Sequence, residues 1–329
     1  MTEPHPFLAE ENASSESIDE RWAASNEQWW DWYMSLAFDD GGDRSPVAAP
    51  PMPDVRPASH DALVAELDRA YRVPEGARAA FRREGFVKLP GVLSPAALVA
   101  LAAEWRPRFA AMGDAAMRFP SLEMLWTTQP VSRAFALSRR LGAIAAELLA
   151  VERVRLYHDN ALSKLPGCGR TPWHYDAHHY PIDSDDVVTL WAPLQPTPRA
   201  MGPLAFARDI EAWRLVADLP FSKFDDSYDR GIAEALRKGG VPVEDGPFAL
   251  GAVSFHHTRS LHTAGPNRTD RPRLALALTY LADGARLVEA PTLISGDFEK
   301  FMPGVGAGEP IASPLTPVVV DRSTFGAER

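Results

Sequence analysis

The chain has 329 residues, 34 Lys and Arg against 44 Asp and Glu, a formal net charge of −10 and one cysteine, Cys168. The length suffices for one large domain with its own core, and an acidic balance without any Lys/Arg-dense run excludes a phosphate-tracking surface, so neither nucleic acid nor an anionic membrane is expected as a partner. A lone cysteine precludes an intrachain disulfide, and with an acidic, polar N-terminal stretch and no apolar run of about 18 residues, export and membrane spanning are not expected and the cytoplasm is the expected compartment.

Taken in chain order, residues 17–38 open with Ser17 and Glu20 as a capping box and then place Trp22, Trp29, Tyr33 and Leu36 at helical spacing, which predicts one amphipathic helix. Its face suits packing on its own domain, or a lid or dimer contact; a monomer and a homodimer are both compatible with it. From Asp39 to Ser59 the chain is punctuated by Gly41, Gly42, Pro46, Pro50, Pro51, Pro53 and Pro57, as an extended linker would be. Residues 1–59 are therefore read as an N-terminal extension and residues 60–329 as the main domain.

Helical patterns follow over Asp61–Tyr71, Pro74–Glu84, Ser94–Ala111 and Ser132–Ala150, with Ser94-Pro95 a good N-cap and first helical residue. Gly85–Pro90 alternates as a short strand. Beyond Arg153 the texture changes to strands, expected at Val154–Leu162, Thr171–Tyr180, Val187–Pro193, Gly202–Ala207, Ala252–His257 and Arg273–Leu281, with one helical insertion at Ser227–Lys238. A helical N-terminal half packed on many short strands indicates an α+β fold whose sheet part is a double-sheet jelly roll or barrel.

In Thr171-Pro172-Trp173-His174-Tyr175-Asp176, a strand period of two puts His174 and Asp176 on one face and turns Tyr175 away. His178 shares that face if the strand continues, as a second-layer or substrate contact. A third ligand, His262, precedes a Gly-Pro turn 86 positions after Asp176. Two histidines and a carboxylate on one face leave positions open for a chelating co-substrate and O2, the donor set of non-haem Fe(II) oxygenases; a zinc hydrolase, with one open position, and a non-catalytic metal- or ligand-binding jelly roll are the alternatives. His256 and His257 compete with His262 for the distal position. Arg273 opens an apolar strand eleven positions after His262. A buried arginine there has no obvious structural purpose, whereas its fork suits a bidentate grip on a carboxylate, such as the distal one of 2-oxoglutarate. Tyr157, His158 and Tyr180 are candidate walls of a substrate pocket, with core packing as the plainer reading.

The segments Phe81–Ser94, Thr171–Asp176, Leu190–Leu194, Gly202–Leu204 and His262–Asn267 through Arg273 together resemble the phytanoyl-CoA dioxygenase family, in order and in spacing, over about residues 75–285. The resemblance implies a double-stranded β-helix core, Fe(II) on His174, Asp176 and His262, and 2-oxoglutarate on Arg273. Trp191 and Thr171 would line that pocket, and Asn160 and Lys164 would stand near the co-substrate. It further implies hydroxylation of an unactivated C–H bond of a small or medium-sized metabolite, with O2 consumed and succinate and CO2 released; desaturation, epoxidation and cyclisation are diversions of the same chemistry. Ala264 departs from members that carry a serine at that place. Asp176, where a halogenase would have glycine or alanine, argues for hydroxylation over halogenation.

Overall fold

The computed structural model describes residues 46–112, 119–220, 225–290 and 298–323; the expected Trp-rich helix lies outside them. Helices α1 (His60–Asp68), α2 (Ala77–Glu84), α3 (Pro95–Ala111), α4 (Pro130–Ala136) and α5 (Arg139–Leu149) precede most of the strands. Ser94 caps α3 as its sequence suggests: its hydroxyl accepts from the Ala97 amide at 3.1 Å. The single helix expected over Ser132–Ala150 is instead two, because Ser138 accepts from the Leu141 amide at 3.2 Å and so ends one helix and starts the next.

The strands are β1 (Phe86–Leu89), β2 (Ser121–Glu123), β3 (Arg153–Lys164), β4 (Thr171–His174), β5 (Val187–Pro193), β6 (Leu204–Ala207), β7 (Val243–Glu244), β8 (Val253–His257), β9 (His262–Ala264), β10 (Arg273–Ala282) and β11 (Val318–Asp321), with α6 (Ser227–Lys238) inserted after β6. They form two antiparallel sheets, one in the order β1-β8-β5-β10-β3-β11 with β2 on β3, the other β4-β9-β6-β7. The strand expected over Thr171–Tyr180 stops at His174. Asp176–His178 turns as a 3₁₀ helix, closed by the His179 amide donating to the Asp176 carbonyl at 2.8 Å.

Alternation along the large sheet separates its two faces. Val188, Leu190 and Ala192 of β5 and Leu274, Leu276 and Leu278 of β10 pack with the helices in the main core. Trp191 and Ala275 point the other way, where they meet Leu204, Phe206 and Ala264 of the small sheet. The two sheets thus enclose a jelly-roll interior, and the residues facing it are those offset by one from the helix-facing set. Among the described residues no helix is long and apolar enough to cross a membrane.

Candidate metal centre

β4 and β9 pair with His174 opposite His262, which brings the two imidazoles together with ring centroids 4.1 Å apart and the ring planes tilted by 53°. Tyr175 remains extended, so Asp176, just past the strand end, still falls on the side of His174. One ligand atom from each of His174, Asp176 and His262 lies within 4.8 Å of the others, and all three side chains are buried. Each histidine has its Nδ1 tied to a backbone carbonyl two residues earlier, His174 to Pro172 at 2.8 Å and His262 to Ser260 at 3.0 Å. That bond fixes the proton on Nδ1 and turns the Nε2 lone pair inward, towards Asp176 Oδ1 at 4.0 and 3.8 Å.

Burial lowers the pKa of His174, and that of His262 further, the latter helped by neighbouring His174 and His256, which favours the neutral imidazole that a metal would require. Burial alone would raise the Asp176 carboxyl. The hydrogen bond from His256 and the attraction of the surrounding His262, His256 and His174 rings in their protonated form outweigh that and hold it well below the usual carboxylate range. Its second oxygen, Oδ2, accepts from the Thr189 hydroxyl at 2.8 Å and lies 3.4 Å from His256 Nε2. His256 therefore stands behind the carboxylate, and His257 faces outward, its Nδ1 accepting from the Arg259 amide at 3.1 Å.

Arg273, paired with Lys164 at the far end of β10, is fully buried. Its guanidinium lies over Trp191, 5.2 Å from the ring, and over Phe119 at 5.6 Å. One Nη donates to the Gly202 carbonyl. Gly202 has φ +68, and a Cβ there would collide with the Gly265 carbonyl, so only glycine lets the two loops close around the arginine. Among the described residues Arg273 has no carboxylate partner, and its Nε is buried without a hydrogen bond. Burial pulls its pKa down to about 10, which leaves it charged at neutral pH. An unpaired buried cation is costly, and a ligand carboxylate would relieve it.

Of the other expected co-substrate residues, Lys164 donates to the Gly169 carbonyl at 3.0 Å, the Thr171 hydroxyl at 3.1 Å and the Gly265 carbonyl at 2.8 Å. Burial, then the positive charge of Arg273, pushes its pKa well down. Lys164 and Thr171 thus clasp the loop ends beside Arg273, and the indole Nε1 of Trp191 is buried without a partner. Asn160 sits halfway along β3, opposite Ala277, with Oδ1 buried and unpartnered.

His178 is not on the metal face. The 3₁₀ turn swings it to the Tyr175 hydroxyl and to the Tyr228 hydroxyl at 3.2 Å, and places His179 near His174 instead, ring centroids 6.1 Å apart. Tyr157 and Tyr180 do lie together, 5.2 Å between rings, beyond the cluster of His174, Asp176 and His262. Thr189 and Thr279 escaped sequence reading, although each is a polar residue at an inward position of an apolar strand. The Thr279 hydroxyl lies 3.2 Å from that of Thr189 and 3.1 Å from that of Tyr180, extending a polar chain from Asp176.

Three comparisons place this geometry among known proteins. The probable alpha-ketoglutarate-dependent hypophosphite dioxygenase of Stutzerimonas stutzeri is 29% identical over 163 residues, 46% of this chain and 53% of its own length. The chain spans about half the length of that curated relative. The non-heme alpha ketoglutarate dependent carbocyclase SnoK from nogalamycin biosynthesis shares the fold, with a TM-score of 0.62, 21% identity and coverage of 80% of this chain and 99% of that one. The epimerase SnoN, solved with Fe3+, alpha ketoglutarate and nogalamycin RO, superposes with a TM-score of 0.59 at 26% identity, over 74% of this chain and 98% of its own. The family model for phytanoyl-CoA dioxygenase matches residues 81–275, more than half of the chain, which therefore belongs to the phytanoyl-CoA dioxygenase family.

Proposed function

We propose that the protein is an Fe(II)- and 2-oxoglutarate-dependent oxygenase that hydroxylates an unactivated C–H bond of a small or medium-sized metabolite, with His174, Asp176 and His262 holding the iron and Arg273 the co-substrate. The observation that carries this reading is the pairing, inside one barrel, of three inward ligand atoms at one level with a fully buried, carboxylate-free arginine at the end of β10. A structural metal site has no need of such an arginine. The donor set of two neutral imidazoles and one carboxylate fits iron with open positions better than a four-coordinate zinc site. The alpha ketoglutarate named for the S. stutzeri relative and for SnoN supports the co-substrate of this reading.

When bound, iron(II) and 2-oxoglutarate supply O2 activation with release of succinate and CO2, coupled to oxidation of a substrate C–H bond. The chain's own residues do the rest. The Nδ1–carbonyl bonds of His174 and His262 fix which nitrogen faces the metal, and Thr189 and His256 hold Asp176 Oδ2 so that Oδ1 is presented. Arg273, with Trp191 beneath it, would orient the distal carboxylate by two parallel N–H···O bonds, and Asn160, on the inward face of β3 between the two levels, could donate to the same ligand only through its side-chain Nδ2–H. Leu162, Leu204 and Phe206 crowd the interior and limit water around the site.

The test is anaerobic titration of the metal-free protein with Fe(II) and then 2-oxoglutarate, followed by absorption spectroscopy. A visible charge-transfer band that requires both additions, and that is lost in Asp176→Ala, is expected. Retention of zinc with no band would sink the oxygenase reading in favour of a zinc hydrolase or a non-catalytic binding protein.

A further inference from the structure

Beyond the metal ligands, on the side away from Arg273, the barrel interior is walled by aromatic rings. The inward face of β3 runs from Lys164, opposite Arg273, past Asn160, opposite Ala277, to His158, opposite Thr279. Thr279 belongs to the polar chain that begins at Asp176 Oδ2, so His158 stands one strand from the metal level. Around it are Phe301 at 4.6 Å, Tyr157 at 4.9 Å and Tyr180 at 5.9 Å between ring centroids. The Nδ1 of His158 is buried and without a hydrogen-bond partner, and the residue keeps only 8% of its surface. A buried polar atom left unpaired is costly, so a ligand that pairs it gains specificity.

The charges around this wall are accounted for. Those acting on His158 are Glu123, Asp176 and Lys300, and burial outweighs them to keep the imidazole below its ordinary pKa and neutral. Glu123 and Lys300 pair with each other at 2.6 Å, and Asp176 faces the metal ligands. Among the described residues, what remains around His158 is a set of flat aromatic faces and a neutral imidazole able to donate or accept a hydrogen bond at Nδ1.

We infer that this end of the barrel takes an uncharged, ring-bearing substrate whose hydroxyl group hydrogen-bonds to His158 while its ring lies against Phe301 and Tyr180, and that it selects against anionic substrates such as acyl-coenzyme A thioesters or small oxyanions. The inference rests on the oxygenase reading above. A phosphate or carboxylate would need Lys300 released from Glu123, whereas a neutral hydroxyl satisfies the unpaired His158 Nδ1 at no such cost.

The experiment uses the full chain loaded anaerobically with Fe(II) and 2-oxoglutarate, the charge-transfer band being recorded first. Equilibrium dialysis then compares three probes on one ring: 2-naphthol, 2-methylnaphthalene and 2-naphthoate. We expect 2-naphthol to bind at least about tenfold more tightly than either of the others. In His158→Phe its advantage over 2-methylnaphthalene should fall to within about twofold, with the band unchanged. Phe301→Leu should weaken 2-naphthol and 2-methylnaphthalene alike, and serves if the histidine variant does not fold. With the band formed, equal or tighter binding of 2-naphthoate, binding of none of the three, or an undiminished hydroxyl preference in His158→Phe overturns the inference. Absence of the band sinks the oxygenase reading and this inference with it.

Discussion

At the scale of single residues the site depends on atoms that orient other atoms. Thr189 and His256 both address Asp176 Oδ2, at 2.8 and 3.4 Å, and neither is among the three proposed ligand residues. Thr189→Val keeps the shape and removes the hydroxyl. It should weaken Fe(II) binding by about tenfold or more while leaving the fold intact, as measured by competition with a chromogenic chelator; unchanged affinity would show that Asp176 needs no support. For Arg273, two charge-assisted hydrogen bonds contribute roughly 1.5–3 kcal/mol each. Arg273→Ala should therefore raise the 2-oxoglutarate concentration needed for half-maximal succinate formation by about a hundredfold or more, with Arg273→Lys intermediate and iron affinity close to wild type. Arg271→Ala is the control, since Arg271 is exposed. A shift with Arg271→Ala and none with Arg273→Ala would mean the wrong arginine has been assigned.

Whole elements bring these atoms into register, and two of them carry tests of their own. Asp159 lies on the helix-facing side of β3, where Oδ2 accepts from the Trp126 amide at 3.1 Å and Oδ1 has no partner. Burial raises its pKa to about 7, only partly offset by its backbone hydrogen bonds. A carboxyl with a folded pKa above its unfolded value near 3.9 stabilises the fold at low pH, and that contribution is lost as pH rises towards 7, by up to about 1.4 kcal/mol per pH unit. Asp159→Asn should remove this loss. Urea unfolding at pH 5 and pH 8 should then show a wild-type decline, relative to the variant, that parallel curves would refute. The second element is the turn before β6. Gly202→Ala sets a side chain against the Gly265 carbonyl at positive φ, and should both lower thermal stability and weaken 2-oxoglutarate binding, because the Gly202 carbonyl holds Arg273.

On the scale of the whole molecule, the boundary expected near residue 60 can be tested directly. The described part of the preceding stretch is tied down by a few bonds: Val47 bridges to Thr269, and the Ala49 amide donates to Asp270 at 2.8 Å. We propose that a chain begun at His60 still folds cooperatively and binds Fe(II), with a melting temperature a few degrees lower. Loss of the cooperative transition would make the extension part of the core. Much of this architecture was legible beforehand where a local signal exists. Ser94-Pro95 marked its helix, and the apolar runs of β5 and β10 marked central strands, because capping and burial on both faces are written in consecutive residues. The strands β2, β7, β9 and β11 were not seen: the first three have only two or three residues, too few for alternation to register, the Val-Val-Val-Asp of β11 does not alternate, and long-range pairing forms them all. His174, Asp176 and Arg273 could be proposed as site residues because spacing and a charge in an apolar run are sequence properties. The helical split at Ser138, the turn that removes His178, the place of His256 behind the carboxylate and the polar chain through Thr189 and Thr279 were decided only by the tertiary structure. Each depends on where a strand stops and which distant strand it meets, and no residue's own neighbours in the chain carry that information.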